Sequence, residues 1–379
     1  MMSGNLCAWR TKSATHCSGG VYVHIPFCRK KCFYCHFAVR THKDSLISPF
    51  ISAIRAEWAE RKELLDEVLT IYFGGGTPSI MTPKEFEALF KIFPHCSGEI
   101  TIEANPEDVT LEKMVFYRNL GINRISIGAQ SFSDERLKAI GREHRSKDTI
   151  HAVETAFRAG IENISIDLMY DLPNQTSEEW ENTIARAIQL PITHLSLYNL
   201  TFEPGALFYK DRHAIKQLMP TSAVSAKMLS HAITLFESAD LRRYEISAFA
   251  KPGFMAQHNT SYWKGVPFIG IGPSAFSYYE GARFRNSSHI SKWQSEVESK
   301  KEPVEFEESL PYPNNVHELF VIRLRMLEGV DCDEFDLPQE TLEKIDQLVL
   351  AGYLKKQKSH VALTTRGTFF YDTVATELI

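Results

Sequence analysis

The 379-residue chain lacks any apolar run approaching the roughly 20 residues that a membrane-spanning helix requires. Its first twenty residues are polar and have no apolar core, so we expect residues 1–20 to be a disordered tail and not a secretory signal. An excess of positive charge is also absent, because the net charge is −5. The sequence therefore gives no indication of a transmembrane segment or of nucleic acid as a partner.

Cysteine is scarce in this chain. Seven cysteines, an odd number, favour a reducing compartment over a disulfide-stabilised secreted fold, and we therefore expect a cytoplasmic protein. Three of the seven nonetheless cluster, as Cys28, Cys32 and Cys35 in the stretch HIPFCRKKCFYCHFAVR. A cluster as tight as this one indicates a metal site.

The cysteine cluster has two main interpretations. Together with His36 it offers a Cys₃His set for zinc, but neighbouring ligands at positions 35 and 36 tend to diverge. Structural zinc sites usually combine two chain segments, and Cys96 and Cys332 are isolated in the sequence. The C-x₃-C-x₂-C spacing instead suits one loop around three corners of a [4Fe–4S] cluster, which leaves the fourth iron open to a small ligand. We favour the iron–sulfur cluster and keep zinc as the alternative.

Six short β-rich runs alternate with amphipathic helical segments in the first half of the chain. Helices are predicted over 45–65, 82–93 and 177–188, and the runs are VYVHI (21–25), LTIYF (69–73), EITIEA (99–104), RISIGAQ (124–130), NISIDLM (163–169) and HLSLYNL (194–200). This alternation predicts an α/β fold with βα units around a parallel sheet whose strands are covered on both faces. Six units over residues 21–205 fit a partial TIM-like (β/α)6 barrel, and a doubly wound sheet is the alternative.

The pattern changes after about residue 205. A helix is predicted over 221–239, a strand over RRYEIS (242–247) and a loop-rich aromatic stretch over 249–286, so residues 206–305 are expected to form an α+β extension. From residue 306 to 379, the order helix, helix, short strand pair predicts a small winged-helix-like domain. Seven Lys and Arg against eleven Asp and Glu from residue 310 onward favour a structural or docking role over DNA binding.

Two further features follow predicted strands, at the sheet edge where functional residues gather in α/β folds. GGGTPS (74–79) follows the second run, and its glycines allow a backbone to approach a ligand closely. Glu103 lies at the end of the third run, where a carboxylate can hold the ammonium group or the ribose of a ligand. A plain tight turn and a helix-start acid are the simpler alternatives.

Taken together, these motifs resemble the radical S-adenosylmethionine superfamily. HIPFC, YFGGGTPS, EANPED, NRISIGAQSF, IDLMYDLPNQT and YEISAFAKPG…HNTSYW are similar, more narrowly, to the oxygen-independent coproporphyrinogen III oxidase-like proteins, and among them to the heme chaperone branch, HemW. The resemblance runs from about Val21 to the C-terminus. It implies a radical SAM barrel with a [4Fe–4S] cluster, whose open iron is chelated by the amino and carboxylate groups of S-adenosylmethionine.

The resemblance also implies which residues hold the cofactors. Cys28, Cys32 and Cys35 match the cluster ligands, and Tyr22 and Tyr34 match aromatic positions near the cluster and the adenine. The backbone that accepts the methionine amine is matched by Gly75, Gly76 and Thr77. The polar positions that hold the rest of S-adenosylmethionine, or a second copy of it, are matched by Glu103, Gln130, Arg142, Asp167 and Thr201. Without the resemblance, Gln130 and Asp167 are ordinary strand-end polar groups and Arg142 is a solvated helix-end cation.

Two functions are open within this family. One is the oxidative decarboxylation of coproporphyrinogen, and the other is the binding of heme for delivery to apo-hemoproteins. The oxidases carry a C-x₃-C-x₂-C-x-C pattern, whereas this chain has Phe37 at the position of the fourth cysteine. Only twenty residues precede the first predicted strand, so the long substrate-enclosing segment of the oxidases is expected to be missing. Both differences favour the chaperone, although whether the protein is an enzyme stays open.

HNTSYW (258–263) matches the H-N-x-x-Y-W pattern of the chaperone branch. We expect His258 to be an axial heme ligand, and Tyr262 and Trp263 to stack on the macrocycle. An aromatic loop that simply packs on the barrel is the alternative. Some relatives carry a cysteine and a histidine where this chain has Ala256 and Phe276, so neither position supplies a heme ligand here. The resemblance also makes a homodimer a candidate assembly.

Overall fold

The structure, a computed structural model, describes residues 17–379. The tail expected over 1–20 lies outside the described residues as far as position 16. The first strand begins at Ser18, so the expected boundary after residue 20 falls inside this strand. The glycines at 19 and 20 carry no strand preference, but the Gly20 N–H donates to Pro267 O at 3.0 Å and both glycines pair with the adjacent strand. Tertiary pairing therefore decides where the strand begins.

The described chain forms one large sheet, one small sheet and one two-stranded pair. The strands are β1 (Ser18–Ile25), β2 (Phe27–Cys28), β3 (Arg40–Thr41), β4 (Glu67–Gly75), β5 (Ile100–Ala104), β6 (Arg124–Gln130), β7 (Asn163–Tyr170), β8 (His194–Asn199), β9 (Arg242–Arg243), β10 (Ala248–Ala250), β11 (Phe268–Ile271), β12 (Phe276–Tyr279), β13 (Ala282–Asn286), β14 (Val304–Ser309), β15 (Val330–Asp331), β16 (Leu354–Gln357) and β17 (His360–Leu363).

Helices cover one face of the large sheet and build most of the C-terminal unit. They are α1 (Asp44–Arg61), α2 (Pro83–Phe90), α3 (Leu111–Leu120), α4 (Asp134–Ala139), α5 (Ser146–Arg158), α6 (Ser177–Ala187), α7 (Leu207–Lys210), α8 (Arg212–Lys216), α9 (Ser222–Ser238), α10 (Gln257–Trp263), α11 (Ile290–Glu298), α12 (Asn314–Arg323), α13 (Gln339–Leu350), α14 (Thr365–Phe369) and α15 (Tyr371–Leu378). No helix in residues 17–379 combines the length and apolar character needed to cross a membrane.

Local sequence fixes several helix starts. The side chains of Thr82 and Thr176 each accept a hydrogen bond from the backbone N–H three residues later. In return, the backbone N–H of each threonine donates to the carboxylate of Glu85 or Glu179. These capping boxes satisfy amide groups that have no partner inside the helix. The crossover helices α2 and α6 therefore begin where the sequence predicts helices.

The centre of the large sheet is a parallel barrel segment. Strands β1, β4, β5, β6, β7 and β8 lie side by side in this order, and every pair is parallel. Each crossover moves the chain one strand further in the same direction, without the reversal of order that defines a doubly wound sheet. Helices α1–α3, α5, α6 and α9 pack with these strands in a single hydrophobic cluster. The predicted (β/α)6 barrel is confirmed.

The inner face of this segment, opposite the helices, is polar. Val21, Val23 and Ile25 of β1 belong to the core beneath the helices, whereas Tyr22 and His24 alternate with them on the inner face. Polar side chains also bond across neighbouring strands on this face: Tyr72 with Glu103, Ser126 with Asp167, and Ser165 with His194. Thr101, Ser126 and Ser165 on this face are nonetheless buried, so the strands are covered on both faces as expected, although one of the two faces is polar. The inner face carries polar groups because it lines a site.

The extension after residue 205 is built onto the same sheet. The predicted strand over 242–247 is interrupted, because residues 244–247 form the turn of a hairpin in which β9 and β10 pair antiparallel. The stretch 249–286, expected to be loop-rich, contains helix α10 and strands β11–β13. Strand β11 pairs in parallel with β1, and β12–β14 continue the sheet beyond it. The short β-rich pieces FIGI, FSYY and ARFRN find partners only through this tertiary pairing.

The C-terminal residues form a separate small core. Helices α12 and α13 and strands β15–β17 pack around side chains such as Phe320, Ile345 and Val361. The expected order of helix, helix and strand pair is present, and the structure adds β15 to the small sheet and helices α14 and α15 at the end. The boundary expected between 305 and 306 falls within β14, which belongs to the large sheet.

Candidate functional site

The three clustered cysteines lie in a loop that leaves β1 at the carboxyl end of the barrel strands. Pairing of β2 with β3 closes this loop, and the Arg40 N–H donates to Pro26 O at 2.7 Å at its base. The Cys35 N–H donates to Cys32 O at 3.2 Å, which folds the last part into a tight turn. The loop therefore presents three partly exposed thiols, none of them in a disulfide, beside the inner face.

The thiols share one electrostatic environment. Burial raises the pKa of the Cys28 thiol to about 11, a hydrogen bond from Thr77 Oγ1 at 3.3 Å opposes the rise, and the Cys35 and Cys32 thiols add to it. Burial also raises the pKa of the Cys35 thiol. Thiolates at these positions therefore require a compensating cation, as iron would supply.

Within the described part of the chain, no group of three or more His, Cys, Asp or Glu side chains is placed to hold a metal ion. A [4Fe–4S] cluster carries its cysteines on different irons, so its thiolates need not converge on one point. A tetrahedral zinc ion requires that convergence. Three free thiols on one loop match in number the ligands of a cluster with one open iron.

The glycine turn after β4 supports the cysteine loop directly. The Gly76 N–H donates to Ile25 O and the Thr77 N–H to Phe27 O, both at 2.8 Å. A Cβ on Gly76 would lie 2.7 Å from Phe27 O and 2.8 Å from Ile25 O. At Gly76 the structure shows a close approach to the backbone that precedes Cys28, and the expected approach of this turn to a ligand stays a prediction. Gly75 has φ +106°, a conformation that favours glycine, and its N–H donates to Glu103 Oε2 at 3.0 Å.

Glu103 is the central carboxylate of the inner face. It accepts hydrogen bonds from Tyr72 Oη at 2.8 Å and from the Gly75 N–H. Burial raises its pKa to about 7; the bond from Tyr72 opposes the rise and nearby Asp167 adds to it. Burial likewise raises the pKa of Asp167, which accepts from Ser126 Oγ at 3.3 Å. A cationic ligand group beside these carboxylates would hold them ionised.

Arg142 joins the inner face to the cysteine loop. Its guanidinium donates to Gly128 O at 2.8 Å and to Asn105 Oδ1 at 2.9 Å, and it reaches Cys32 Sγ at 3.7 Å. The alternative of a solvated helix-end cation is therefore excluded. Gln130, at φ +57°, has a buried side-chain oxygen that finds no hydrogen-bond partner in the residues that the structure describes. An unpaired acceptor beside this cation is what a bound polar ligand would satisfy.

Of the remaining predicted cofactor residues, Tyr22 and Tyr34 lie beside other site residues, whereas Thr201 does not. The Tyr22 hydroxyl lies 3.1 Å from His24 Nδ1, and its ring is 6.0 Å from that of Tyr72. Burial raises the pKa of Tyr34, which lies close enough to Arg142 for that cation to oppose the rise. Thr201 is exposed just beyond the end of β8. The structure thus brings all of these residues except Thr201 into buried or half-buried contacts around the barrel opening.

The HNTSYW segment is helix α10, which lies against the inner face. His258 is 1% exposed, its Nδ1 lies 2.7 Å from Thr70 Oγ1, and its Nε2 lies 2.6 Å from the Tyr262 hydroxyl. Its ring stacks on Tyr72 at 5.1 Å between centroids. Burial lowers its pKa to about 3, so the imidazole is neutral. Both ring nitrogens of His258 are thus bonded inside the protein, whereas an axial ligand needs one of them free for the iron, so the expected ligation stays a prediction that this arrangement does not favour.

Tyr262 and Trp263 are half-buried at the walls of two adjoining cavities. A cavity of about 470 Å³ lies between Tyr262, the inner-face side chains of β1, the end of the cysteine loop and strands β12–β13. A second, of about 260 Å³, lies between Tyr262, Trp263 and helix α12. Tyr262, Phe268 and Phe276 line both cavities, and we refer to the pair as the aromatic groove. A larger cavity of about 1110 Å³, near Arg243 and Arg366, contains none of the predicted site residues.

Several residues of the site were missed by the sequence argument. Tyr72 bonds to Glu103, and Asn105 bonds to Arg142. His24, whose buried Nε2 has no hydrogen-bond partner in the described chain, lines the larger cavity of the groove. Tyr72 and His24 lie within β-rich runs at positions that alternate with the core residues, and this periodicity alone would have placed them on the inner face.

Comparisons with known proteins show what the whole chain is similar to. Residues 22–187 match the model of the radical SAM superfamily, and residues 310–370 match the HemN C-terminal domain. Heme chaperone HemW of Bacillus subtilis is 31% identical over 91% of this chain and 95% of its own. The protein of that name from Escherichia coli is 31% identical over 93% and 96%. The solved structure of coproporphyrinogen III oxidase (HemN) from Escherichia coli superposes with a TM-score of 0.85 at 21% identity, covering 98% of this chain and 92% of that one.

Proposed function

Because the chain belongs to the HemW family of radical SAM proteins, we propose that it is a heme chaperone, which binds heme and delivers it to apo-hemoproteins. The observation that carries this proposal is the 31% identity, along nearly the whole of both chains, to relatives named for that function. The likeness to the oxidase, at 21% identity, concerns the fold alone. Phe37 occupies the position of the fourth cysteine in the oxidase pattern, and this difference supports the chaperone function.

The proposal includes a [4Fe–4S] cluster held by Cys28, Cys32 and Cys35, with S-adenosylmethionine on the adjoining inner face. When bound, these cofactors supply one-electron reductive chemistry at the sulfonium group. The chain's own residues bind and orient. Arg142 places positive charge 3.7 Å from Cys32 Sγ, at the edge of the proposed cluster site. Glu103, fixed by two hydrogen bonds, offers negative charge to an ammonium group.

In this proposal heme is cargo and α10 is part of its site. Tyr262 and Trp263 offer aromatic surface at the groove, on which a flat macrocycle can stack. His258 acts as a positioning residue, because its hydrogen bond holds the Tyr262 hydroxyl and its ring is fixed against Tyr72. The proposed cluster is bound by cysteine sulfur atoms alone, and the proposed heme site uses the aromatic side chains of α10. Cluster binding and heme binding therefore involve different side chains.

Two assays on protein reconstituted anaerobically test the function. We expect heme to bind, with a change in the Soret absorption, and to pass to an added apo-globin. With coproporphyrinogen, excess S-adenosylmethionine and reductant, we expect no protoporphyrinogen. More than one turnover of protoporphyrinogen per chain would make the protein an oxidase, and a folded, cluster-loaded protein without heme affinity would refute the chaperone proposal.

A further inference from the structure

The aromatic groove has an exposed apolar body. Phe37 of the cysteine loop is 52% exposed, and Phe276 and Phe306, whose rings lie 6.4 Å apart, are 45% and 38% exposed. Tyr262 and Phe268 lie 4.2 Å apart between ring centroids deeper in the groove. Aromatic side chains on several walls of one cavity are what a large flat conjugated ligand requires, and a cavity of about 470 Å³ is within the range of small-molecule sites.

One end of the groove is polar and positively charged. Arg285, on β13, lines the larger cavity together with Ser274 and Ser288, and its guanidinium lies 5.4 Å from the Phe276 ring centroid. One of its terminal nitrogens meets Glu305 at 3.0 Å. Its Nε is buried and has no hydrogen-bond partner among residues 17–379. A fixed guanidinium with an unused donor, beside an aromatic wall, can receive a carboxylate.

A second arginine on the same strand differs from Arg285 in the number of its ion pairs. Arg283, two residues earlier on β13 and therefore on the same face, forms ion pairs with both Glu308 and Glu318. Within the described part of the chain, Arg285 forms one ion pair with a carboxylate, that of Glu305. Of the two cations beside the groove, Arg285 is thus the one with remaining capacity for an anion.

We propose that the aromatic groove receives the heme macrocycle and that Arg285 binds one of its propionate carboxylates. The propionates of heme project from one edge of an otherwise apolar ring, so a site with aromatic walls and one cationic end matches both parts of the ligand. This inference rests on the proposed function and adds the orientation of the cargo, with the propionate edge at β13 and the body of the ring between Tyr262 and Phe276.

Heme and heme dimethyl ester, in which both propionates are esterified, test the proposal. For the reconstituted full-length protein, titrations followed by Soret absorption give both affinities. We expect wild type to bind heme about 10- to 100-fold more tightly than the diester, the factor expected for a hydrogen bond to a charged group. Arg285→Gln should lose most of that preference while its affinity for the diester stays within about twofold. Arg285→Lys keeps the charge but loses the planar, two-pronged guanidinium, so its preference for heme over the diester should lie between those of wild type and Arg285→Gln.

Arg242→Gln is the matched control. Arg242 lies on β9 at the opposite edge of the sheet and pairs with Asp240 at 3.1 Å on the surface, so both affinities should stay at wild-type values. An unchanged ratio of heme to diester affinity in a folded Arg285→Gln protein would overturn the proposal while leaving the chaperone function intact. Equal binding of heme and diester by wild type would overturn it too. Failure of the folded wild type to bind either compound would instead refute the proposed function itself.

Discussion

Replacing His258 with alanine separates a structural role from iron ligation. The imidazole is 1% exposed and bonds to Thr70 Oγ1 at 2.7 Å and to the Tyr262 hydroxyl at 2.6 Å. His258→Ala leaves the buried Thr70 hydroxyl without this partner, at a cost of about 1–3 kcal/mol, and deletes a ring that stacks on Tyr72. Large-to-small changes in a core cost about 2–5 kcal/mol. We therefore expect the free energy of unfolding of the apo-protein to fall by roughly 3–5 kcal/mol.

The assay combines chemical unfolding with heme spectroscopy. Thr70→Val removes one of the two hydrogen bonds and keeps the ring, so it should cost only about 1–2 kcal/mol and serves as the graded control. At a temperature where both variants are folded, we expect the Soret maximum of bound heme to match wild type, while heme affinity falls in His258→Ala because Tyr262 is no longer held. A His258→Ala protein as stable as wild type but with a shifted Soret maximum would refute this reasoning, since the histidine would then leave its pocket to bind iron.

The other predictions concern the cluster and the inner face. A single Ser replacement of any clustered cysteine should abolish the brown chromophore of about four irons per chain, whereas His36→Ala should keep it; stoichiometric zinc without iron after anaerobic preparation would contradict the cluster. Gly76→Ala should lower both the iron content and the affinity for S-adenosylmethionine measured by calorimetry, because the added Cβ would lie 2.7 Å from Phe27 O and displace the cysteine loop. Loss of S-adenosylmethionine affinity with full iron content would instead show that this glycine contacts the ligand directly. The raised pKa of Glu103, about 7, means that its protonated form stabilises the folded apo-protein fully below pH 4.5, and that this contribution is lost as pH rises through 7. Glu103→Gln should therefore flatten the fall in unfolding free energy between pH 5 and 7, and an unchanged slope would show that another group titrates there.

Much of the barrel could be predicted from sequence because its determinants are local. The six β-rich runs correspond to β1 and β4–β8 within a few residues. Two of the helices between them, α2 and α6, begin at a threonine cap with Glu three residues later. The positions of Cys28, Gly75 and Glu103 after successive strands follow from that order, since parallel strands end at one edge of a sheet. Strands β11–β13, in the stretch expected to be loop-rich, were missed because each is too short to be distinguished from loop without its partner.

The sequence by itself determined the fold class, the placement of the cysteine loop and the family, because periodicity and motif spacing are properties of neighbouring residues. Only the tertiary structure decided what those residues contact. His258 meets Thr70 across 188 positions, and this contact does not favour the iron ligation expected of the histidine. Likewise, Phe37, Tyr262 and Arg285 form one groove only because β11 pairs with β1 and carries β12 and β13 to the cysteine loop. Such contacts depend on strand order and register, which pair distant segments and leave no trace in the local pattern.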